Sequence, residues 1–310
     1  MRAVGVDLGG TNCRAALVDV ETGTVLAEVK EPVTSKDPDG VAAIVERVVE
    51  KVDPAKERVG VGIGFAGMLR GWTGVVVLAP NYGWREVDLR SFLRRRLGEK
   101  TELYNDLNAI AYGEARWGSA RGARDVFFCF VGTGVGGGLV LDGKLYIGST
   151  HMAGEFGHIK VVTPNGRRCG CGQYGCLEAY TSGRNLQAIA REELVNQKSL
   201  AIELAGGLAN LHAGHLEEAA QNGDPYASAL LERAGLFLGV ACANAVTTIN
   251  PSRLVMGGGV WEKSPELRRH TRKAFDEAAS VPALEGFEMV EGNLGEAAGV
   301  LGSATLIAGR

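Results

Sequence analysis

The sequence lacks a large excess of charge of either sign. Its 310 residues include 33 basic and 36 acidic side chains, so the net charge is −3. This balance argues against a polybasic binder of nucleic acid or of a membrane surface. No run of 18 apolar residues occurs, and the N-terminus has no charged-then-apolar signal region. We therefore expect a cytoplasmic α/β protein without nucleic-acid or membrane partners.

Cysteine is scarce and unevenly placed. The chain has six cysteines, too few for a disulfide scaffold at this length, and three of them fall within eight residues. Glycine is abundant, with 45 residues. These glycines cluster instead of repeating with a period, which excludes a collagen-like or disordered chain.

Apolar runs separated by glycine turns predict an α/β order of elements. The first thirty residues favour a β-meander with strands at 4–8, 15–20 and 25–29. The apolar spacing from Val41 to Val52 predicts an amphipathic helix. Further strands are expected at 59–65, 75–78, 103–104, 126–131, 139–141 and 253–256, and helices at 89–97, 107–117, from 186 to about 249, and 297–307.

Three glycine-rich turns follow apolar runs and suit phosphate or nucleotide binding. Glycines let backbone N–H groups approach phosphate oxygens. In the first turn an aspartate can face magnesium and a threonine can donate a hydroxyl; an ordinary glycine hairpin is equally compatible. The third turn could let a purine lie against the backbone, or could be a tight strand-to-helix turn. The candidate residues are Asp7, Gly9, Gly10 and Thr11; Gly132, Thr133 and Gly134 within a loop at 132–138; and Gly257 and Gly258.

The second turn also matches G-x-G-x-x-G at Gly132, Gly134 and Gly137. A dinucleotide site of that type needs a helix directly after the glycines, whereas the next residues here predict a strand. We therefore reject the Rossmann interpretation.

Acidic and amide side chains supply candidates for proton transfer and sugar recognition. Asn105 and Asp106 follow a predicted strand and precede a helix, so Asp106 is either a general base or simply an N-cap, with Asn105 as a turn residue. Glu155, His158 and Glu178 add groups suited to vicinal hydroxyls.

A cluster of His158, Cys169, Cys171 and Cys176 has the composition of a closed tetrahedral zinc site. A disulfide or redox cluster is the alternative, which a cytosolic setting disfavours. Such a site is structural, so we expect the zinc to do no chemistry. Cys13, Cys129 and Cys242 lie in apolar stretches and are expected in the core.

Taken in order, these motifs resemble those of the ROK family of bacterial sugar kinases, glucokinases most of all. The resemblance implies two α/β lobes of the actin-like ATPase (ribonuclease H-like) fold, with sugar and nucleotide in an interlobe cleft. It implies a small lobe of 1–117 completed by a C-terminal helix at 297–310, and a large lobe of 118–296 carrying the zinc loop. Dimers are common in such proteins, so a homodimer or higher homo-oligomer is expected.

The resemblance also assigns roles by position. It implies that Asp106 is the base, that Mg-ATP is the donor, and that a structural zinc is bound. The implied sugar-contacting positions are Gly67, Asn81, Asn105, Asp106, Glu155, His158 and Glu178.

The leading hypothesis is phosphorylation of glucose at its 6-hydroxyl. Alternatives are a kinase for mannose, fructose, N-acetylglucosamine or N-acetylmannosamine, or a sugar-sensing regulator without turnover. Asp106 and both glycine loops argue against a sensor. Repressors of the family resemble the kinases with an added N-terminal DNA-binding domain; because the first predicted strand starts at Val4, we expect no such domain here. ATP, another nucleotide or polyphosphate remain open as donors.

Overall fold

The computed structural model describes residues 1–309 as a mixed α/β chain. The strands are β1 (Arg2–Leu8), β2 (Asn12–Asp19), β3 (Thr24–Pro32), β4 (Val61–Phe65), β5 (Met68–Arg70), β6 (Val75–Ala79), β7 (Trp84–Asp88), β8 (Thr101–Asn105), β9 (Val126–Val131), β10 (Val135–Leu141), β11 (Lys144–Leu145), β12 (Arg253–Gly257) and β13 (Glu288–Glu291). The helices are α1 (Pro38–Val52), α2 (Leu89–Leu97), α3 (Asp106–Trp117), α4 (Glu178–Thr181), α5 (Gly183–Glu193), α6 (Leu200–Leu204), α7 (Ala213–Gln221), α8 (Pro225–Ile249), α9 (Gly259–Lys263), α10 (Pro265–Ala278) and α11 (Ala298–Ala308).

The chain divides into two compact units. Unit 1 contains Met1–Val126, Gly138–Gly154 and the residues from Gly292 onward, and unit 2 contains Phe127–Gly137 and Glu155–Glu291. Residues 138–154 thus pack with unit 1, although the expected lobe boundary at 117/118 assigns them to the large lobe. The physical reason is close packing on α3, because a Cβ on Gly138 would lie 2.6 Å from the Cβ of Ala111. The lobe boundaries implied by the family resemblance remain a prediction.

Unit 1 is built on a five-stranded sheet with the order β3-β2-β1-β4-β8. The first three strands pair antiparallel, which confirms the predicted meander. The strands β4 and β8 run parallel to β1. The carboxyl ends of these three parallel strands therefore meet at one sheet edge, which is where ligands bind in α/β proteins.

The core of unit 1 follows from the apolar spacing of its helices. The helix α1 begins at an N-cap, Asp37, whose side chain accepts the Gly40 N–H. It buries a stripe of valines from Val41 to Val52 against the sheet. A smaller antiparallel sheet with the order β5-β6-β7 leads back to the same edge. There Phe65, Tyr82 and Trp84 form a buried aromatic cluster, with the Tyr82 and Trp84 ring centroids 4.5 Å apart.

A second five-stranded sheet has the order β11-β10-β9-β12-β13. Every residue of β9 is buried, as expected for a continuous apolar run. The helices of unit 2 include α8 and α10, which approach closely because Gly239 lets the Thr271 carbonyl lie next to the α8 backbone.

One helix in the described part of the chain, α8, is long and apolar enough by length and composition to cross a membrane, with a mean hydropathy of 1.4. This helix is not an unbroken apolar run, since Glu232 and Arg233 interrupt it. In the 18-residue stretch of α8 to which this mean hydropathy applies, 56% is buried inside the protein, which is typical of a core helix.

The predicted elements are largely confirmed, with α2 and β9 matching to the residue. The predicted loop at 132–138 is too long, because Gly136, Gly137 and Gly138 belong to β10 and are buried. The helix α10 was not among the predicted elements. Its signals were Pro265 at the first helical turn and the buried positions Leu267, Thr271, Ala274 and Phe275.

Candidate functional site

The first glycine loop joins β1 to β2 in unit 1. It closes on itself through the Gly9 N–H, which donates to the Asn12 carbonyl at 3.0 Å. The turn between β6 and β7 packs against it, since a Cβ on Gly10 would lie 2.9 Å from the Asn81 Cβ. The neighbouring Tyr82 hydroxyl donates to the Gly9 carbonyl at 2.6 Å. The structure therefore places the predicted sugar residue Asn81 beside a predicted phosphate loop.

Lys36, which the sequence analysis did not select, also holds this loop. Its ammonium donates to the Gly10 carbonyl at 2.8 Å and lies 4.5 Å from the centroid of the Tyr82 ring. The indole N–H of Trp84 donates to the Lys36 carbonyl at 2.7 Å. A lysine in the connection between β3 and α1 is a weak signal in a sequence, so only the fold reveals this role.

Asp7 lies at the carboxyl end of β1 and is half-buried. Burial raises the pKa of this carboxyl, and the charges of Arg14 and Lys30 only partly oppose that shift. Arg14 itself pairs with Glu28 and Glu296. A partly desolvated carboxylate of this kind is suited to a bound cation. Thr11 lies exposed at the end of the loop.

At the start of α3, the predicted residues Asn105 and Asp106 occupy different positions and have different hydrogen bonds. Asn105 is the N-cap, since its Oδ1 accepts the Asn108 N–H at 3.1 Å, and its Nδ2 donates to the Gly67 carbonyl at 3.3 Å. Asp106 is the first helical residue, with its Oδ1 accepting the Leu107 N–H at 2.9 Å. The alternative in which Asp106 is the N-cap and Asn105 only a turn residue is therefore wrong. Asn105, Asp106 and Gly67 lie together at the sheet edge of unit 1.

The second glycine loop, in unit 2, is held by a carboxylate. The Gly132 N–H donates to the Gly134 carbonyl at 2.9 Å. Oε2 of Glu178 accepts the Val135 N–H at 2.9 Å and would lie 2.7 Å from a Cβ on Gly134. Thr133 is exposed at the tip. The strand β10 follows directly, which confirms that no Rossmann helix succeeds these glycines.

The third glycine turn lies next to the second. Gly258 has φ +95°, and a Cβ there would lie 2.6 Å from the carbonyl oxygen of Val131, the residue before Gly132. Both the backbone conformation and the close approach require glycine. Gly257 ends β12 and Gly258 is the N-cap of α9, so the tight strand-to-helix turn is present, next to the predicted phosphate loop.

The four predicted metal ligands come together in unit 2. Their ligand atoms, in His158, Cys169, Cys171 and Cys176, all lie within 4.8 Å of one another. The Cys171 and Cys176 sulfurs are 3.8 Å apart, and the Cys169 sulfur is 3.7 Å from His158 Nδ1. Tetrahedral zinc with ordinary bond lengths requires about 3.8 Å between sulfurs and about 3.6 Å between sulfur and nitrogen. The residues therefore fit a tetrahedral metal.

Two further side chains connect this cluster to its surroundings. The ammonium of Lys160 donates to the Cys176 sulfur at 2.9 Å, and this hydrogen bond raises the lysine pKa. A positive charge at that distance favours the thiolate, the form that binds metal. Oε1 of Glu178 lies 3.7 Å from the Cys169 sulfur, so one carboxylate contacts both the cluster and the second glycine loop.

Glu155 precedes a short 3₁₀ turn at Phe156–His158, and His158 is the last residue of that turn. With Nδ1 toward the cluster, the His158 ring directs Nε2 to Glu155 Oε2 at 3.7 Å. Burial raises the pKa of Glu155; the charge of His158 lowers it and that of Glu178 raises it further. The three predicted sugar residues of unit 2 are thus neighbours of the metal cluster.

Comparison with known proteins confirms the resemblance to the ROK family along the whole chain. The ROK family profile matches residues 3–310. The glucokinase of Thermotoga maritima is 35% identical over 311 residues, covering 99% of this chain and 97% of the relative.

Two solved structures show the same fold. The ROK hexokinase from Thermus thermophilus superposes with a TM-score of 0.85 at 31% identity, over 98% of this chain and 97% of that one. A ROK family glucokinase from Streptomyces griseus, solved with glucose and AMPPNP, gives a TM-score of 0.80 at 33% identity over 100% of both chains.

The protein is therefore an α/β protein with the two-lobed actin-like ATPase fold of the ROK sugar kinases. The chain belongs to the ROK family and is one of its sugar kinases.

Proposed function

We propose that this kinase transfers the γ-phosphoryl group of ATP to the 6-hydroxyl of glucose, with Asp106 as general base. The main support for this proposal is that Asn105, and not Asp106, is the N-cap of α3. Because Asn105 caps the helix, the Asp106 carboxylate is not needed for that purpose. It stands at the carboxyl end of a parallel strand, where a substrate hydroxyl can reach it.

The proposed step is an in-line displacement. A new bond forms between the γ-phosphorus and the sugar O6, the bond to the bridging oxygen of the ADP leaving group breaks, and the hydroxyl proton passes to Asp106. Catalysis consists mainly of positioning and charge neutralisation. Backbone N–H groups of the two glycine loops and the hydroxyls of Thr11 and Thr133 would bind phosphate oxygens, and Gly257 and Gly258 would lie near the adenosine.

Asp7 would hold magnesium, directly or through its waters. When bound, the ion neutralises the charge that develops on the phosphate oxygens. The burial that raises the Asp7 pKa supports this role, because a cation relieves the cost of keeping that carboxylate ionised.

The sugar would contact Gly67, Asn81, Asn105, Glu155, His158 and Glu178. The cluster of His158 with the three cysteines would bind zinc as a structural ion, which the interatomic distances support. Zinc would leave His158 Nε2 directed at Glu155, so metal binding and sugar recognition would share one imidazole. Family resemblance further favours a cytoplasmic homodimer or higher homo-oligomer.

The deciding experiment is Asp106→Asn. Loss of the base should lower kcat by about 10²–10⁴-fold with little change in glucose binding by calorimetry. Asp88→Asn is the matched control, since Asp88 caps α2 by accepting the Ser91 N–H and should affect only stability. Near-full turnover in the Asp106 variant would contradict the proposed base.

Substrate choice is tested separately by kcat/KM for glucose, mannose, fructose, N-acetylglucosamine and N-acetylmannosamine with Mg-ATP. Polyphosphate replaces ATP in a parallel series. Preference for another sugar over glucose by more than about tenfold, or 1.4 kcal/mol, would overturn the glucose assignment and leave the sugar kinase intact.

A further inference from the structure

Lys36 differs from Arg14, a second cation beside the first glycine loop, in the charge of its partners. Arg14 lies opposite Asp7 in the register of β1 and β2 and is paired with Glu28 and Glu296. The Lys36 ammonium instead contacts a carbonyl and an aromatic ring, and within residues 1–309 it forms no ion pair with a carboxylate. The positive charge of Lys36 is therefore not cancelled by an acidic partner.

The backbone around Lys36 is fixed on both sides. The indole N–H of Trp84 donates to the Lys36 carbonyl at 2.7 Å, and the next residue, Asp37, is the N-cap of α1. The side chain is exposed, and its ammonium lies over the Tyr82 ring and donates to the Gly10 carbonyl at 2.8 Å. A charge that is in place before the substrate binds needs little reorganisation during the reaction.

The ammonium acts on the first loop through a single peptide group. The Gly10 carbonyl and the Thr11 N–H belong to the same planar trans peptide, so they point in opposite directions. A positive charge on the carbonyl side polarises this peptide and makes its N–H a stronger hydrogen-bond donor. Within residues 1–309 the Thr11 N–H has no backbone acceptor, so it is available to a phosphate oxygen.

The position of Gly10 indicates which phosphate this N–H meets. A Cβ on Gly10 would lie 2.9 Å from the Asn81 Cβ, so the first loop borders the proposed sugar site. The terminal phosphoryl group is the part of the donor that must reach the sugar, and its charge must be neutralised. We infer that Lys36 is a positioning residue for phosphoryl transfer, whose ammonium strengthens the hydrogen bond from the Thr11 N–H to the terminal phosphate. This role rests on the proposed function.

The test compares two magnesium nucleotides that differ in the terminal phosphate. Dissociation constants for AMPPNP and ADP are measured by calorimetry on the full-length parent, Lys36→Met and Lys36→Arg. Lys36→Met removes the charge and keeps an apolar side chain beside the Tyr82 ring. It should weaken AMPPNP by about tenfold and ADP by less than about twofold, since a hydrogen bond to a charged group contributes at least this much. Lys36→Arg keeps the charge and should retain most of the AMPPNP affinity.

Three further variants or ligands separate this role from simple support of the loop. Tyr82→Phe removes a neutral hydrogen bond to the same loop and should weaken AMPPNP and ADP to a similar degree. The Kd for glucose should not change in Lys36→Met, because the Lys36 ammonium contacts none of the proposed sugar residues. Lys273→Met, on the exposed face of α10, is the control and should bind both nucleotides as the parent does.

Four outcomes would overturn this inference. Equal losses of AMPPNP and ADP affinity in Lys36→Met would make Lys36 only a support of the loop. A loss of glucose affinity in Lys36→Met, or a Lys36→Arg variant that behaves like Lys36→Met, would also contradict the role of the charge. A parent that binds neither nucleotide would overturn the proposed donor together with this role. Full turnover in Asp106→Asn would instead overturn only the proposed base, because the binding measurements on Lys36 involve no proton transfer.

Discussion

The two glycine loops of this kinase have similar sequences of strand, glycines and strand, but different means hold them in place. In unit 1 a tyrosine hydroxyl and a lysine ammonium donate to the carbonyls of Gly9 and Gly10. In unit 2 a single carboxylate, Glu178, accepts the N–H of Val135 and contacts the metal cluster. The first loop is therefore coupled to the β6–β7 turn that carries Asn81, and the second to the cysteine-rich segment.

This difference affects which backbone N–H groups of each loop can bind phosphate. Carbonyl groups that are satisfied by the protein do not face a phosphate, and the contacts of Tyr82 and Lys36 use no N–H group of the first loop, where the Gly9 N–H alone is given to the Asn12 carbonyl within residues 1–309. The contact of Glu178 instead uses one N–H of the second loop. We expect the first loop to bind phosphate without help from the metal, and the second to depend on it.

Of the variants that compare the two loops, the largest effect is expected from Asp7→Asn, at the end of β1 just before the first loop. Removal of the proposed magnesium-binding charge should lower kcat/KM by about 10²–10³-fold, comparable to the loss of one preorganised electrostatic group. Steady-state kinetics across magnesium concentrations measure it. Activity within a few-fold of the parent at saturating magnesium would contradict the assignment.

The same variant should show a pH-dependent gain in stability. The Asp7 pKa is raised in the folded protein, so its protonated form contributes stability that is present below the unfolded pKa of about 3.9 and is lost as pH rises through the raised value. Without magnesium, Asp7→Asn should unfold at a higher temperature than the parent at neutral pH. The difference in unfolding temperature between the variant and the parent should become smaller at acidic pH. A difference that does not depend on pH would contradict the inference that burial destabilises the ionised Asp7.

The next effect is expected from Glu178→Ala, which removes the link between cluster and second loop. It leaves the Val135 N–H without its acceptor, at a cost of about 1–3 kcal/mol, and removes a proposed sugar contact. Hydrogen exchange should rise at residues 132–136 and stay unchanged at 8–12. Glu178→Gln, which retains an acceptor oxygen, should restore the exchange protection and separate the two roles.

Cys171→Ser tests the dependence on metal. One zinc per chain is expected in the parent, and the variant should lose at least about 10–100-fold in metal affinity, the loss seen even for outer partners of metal ligands. The melting temperature should fall, and glucose binding should weaken through His158. Chelation of the parent should reproduce both changes, and Cys242→Ser, a buried cysteine outside the cluster, is the control for metal content.

The smallest effect is expected from Tyr82→Phe. The ring stays in its aromatic cluster, and only the hydrogen bond to the Gly9 carbonyl is lost, about 0.5–1.5 kcal/mol. The KM for ATP should rise by up to about tenfold, with exchange raised at 8–12 and unchanged at 132–136. An equal response of both loops would mean that the two are not held independently.

Local sequence determined the elements and much of the chemistry. The valine spacing of α1, the basic helix α2 and the apolar strand β9 depend on periodicity alone, and the structure confirms them. The cysteine spacing likewise predicted a cluster that the structure assembles, because short glycine-rich connections permit few other arrangements.

The tertiary structure decided what each side chain contacts. Whether Asn105 or Asp106 caps α3 depends on backbone angles at the end of β8, and residue type favours both equally. Lys36 and Tyr82 are distant in sequence from Gly9 and Gly10. Their contacts exist because the connection from β3 to α1 and the β6–β7 turn both lie against the loop. Glu178 had the sequence signal of a ligand-binding acid, but its hydrogen bond to Val135 spans 43 residues. Periodicity and composition report short-range preferences, whereas these contacts arise from chain reversals that no local pattern encodes.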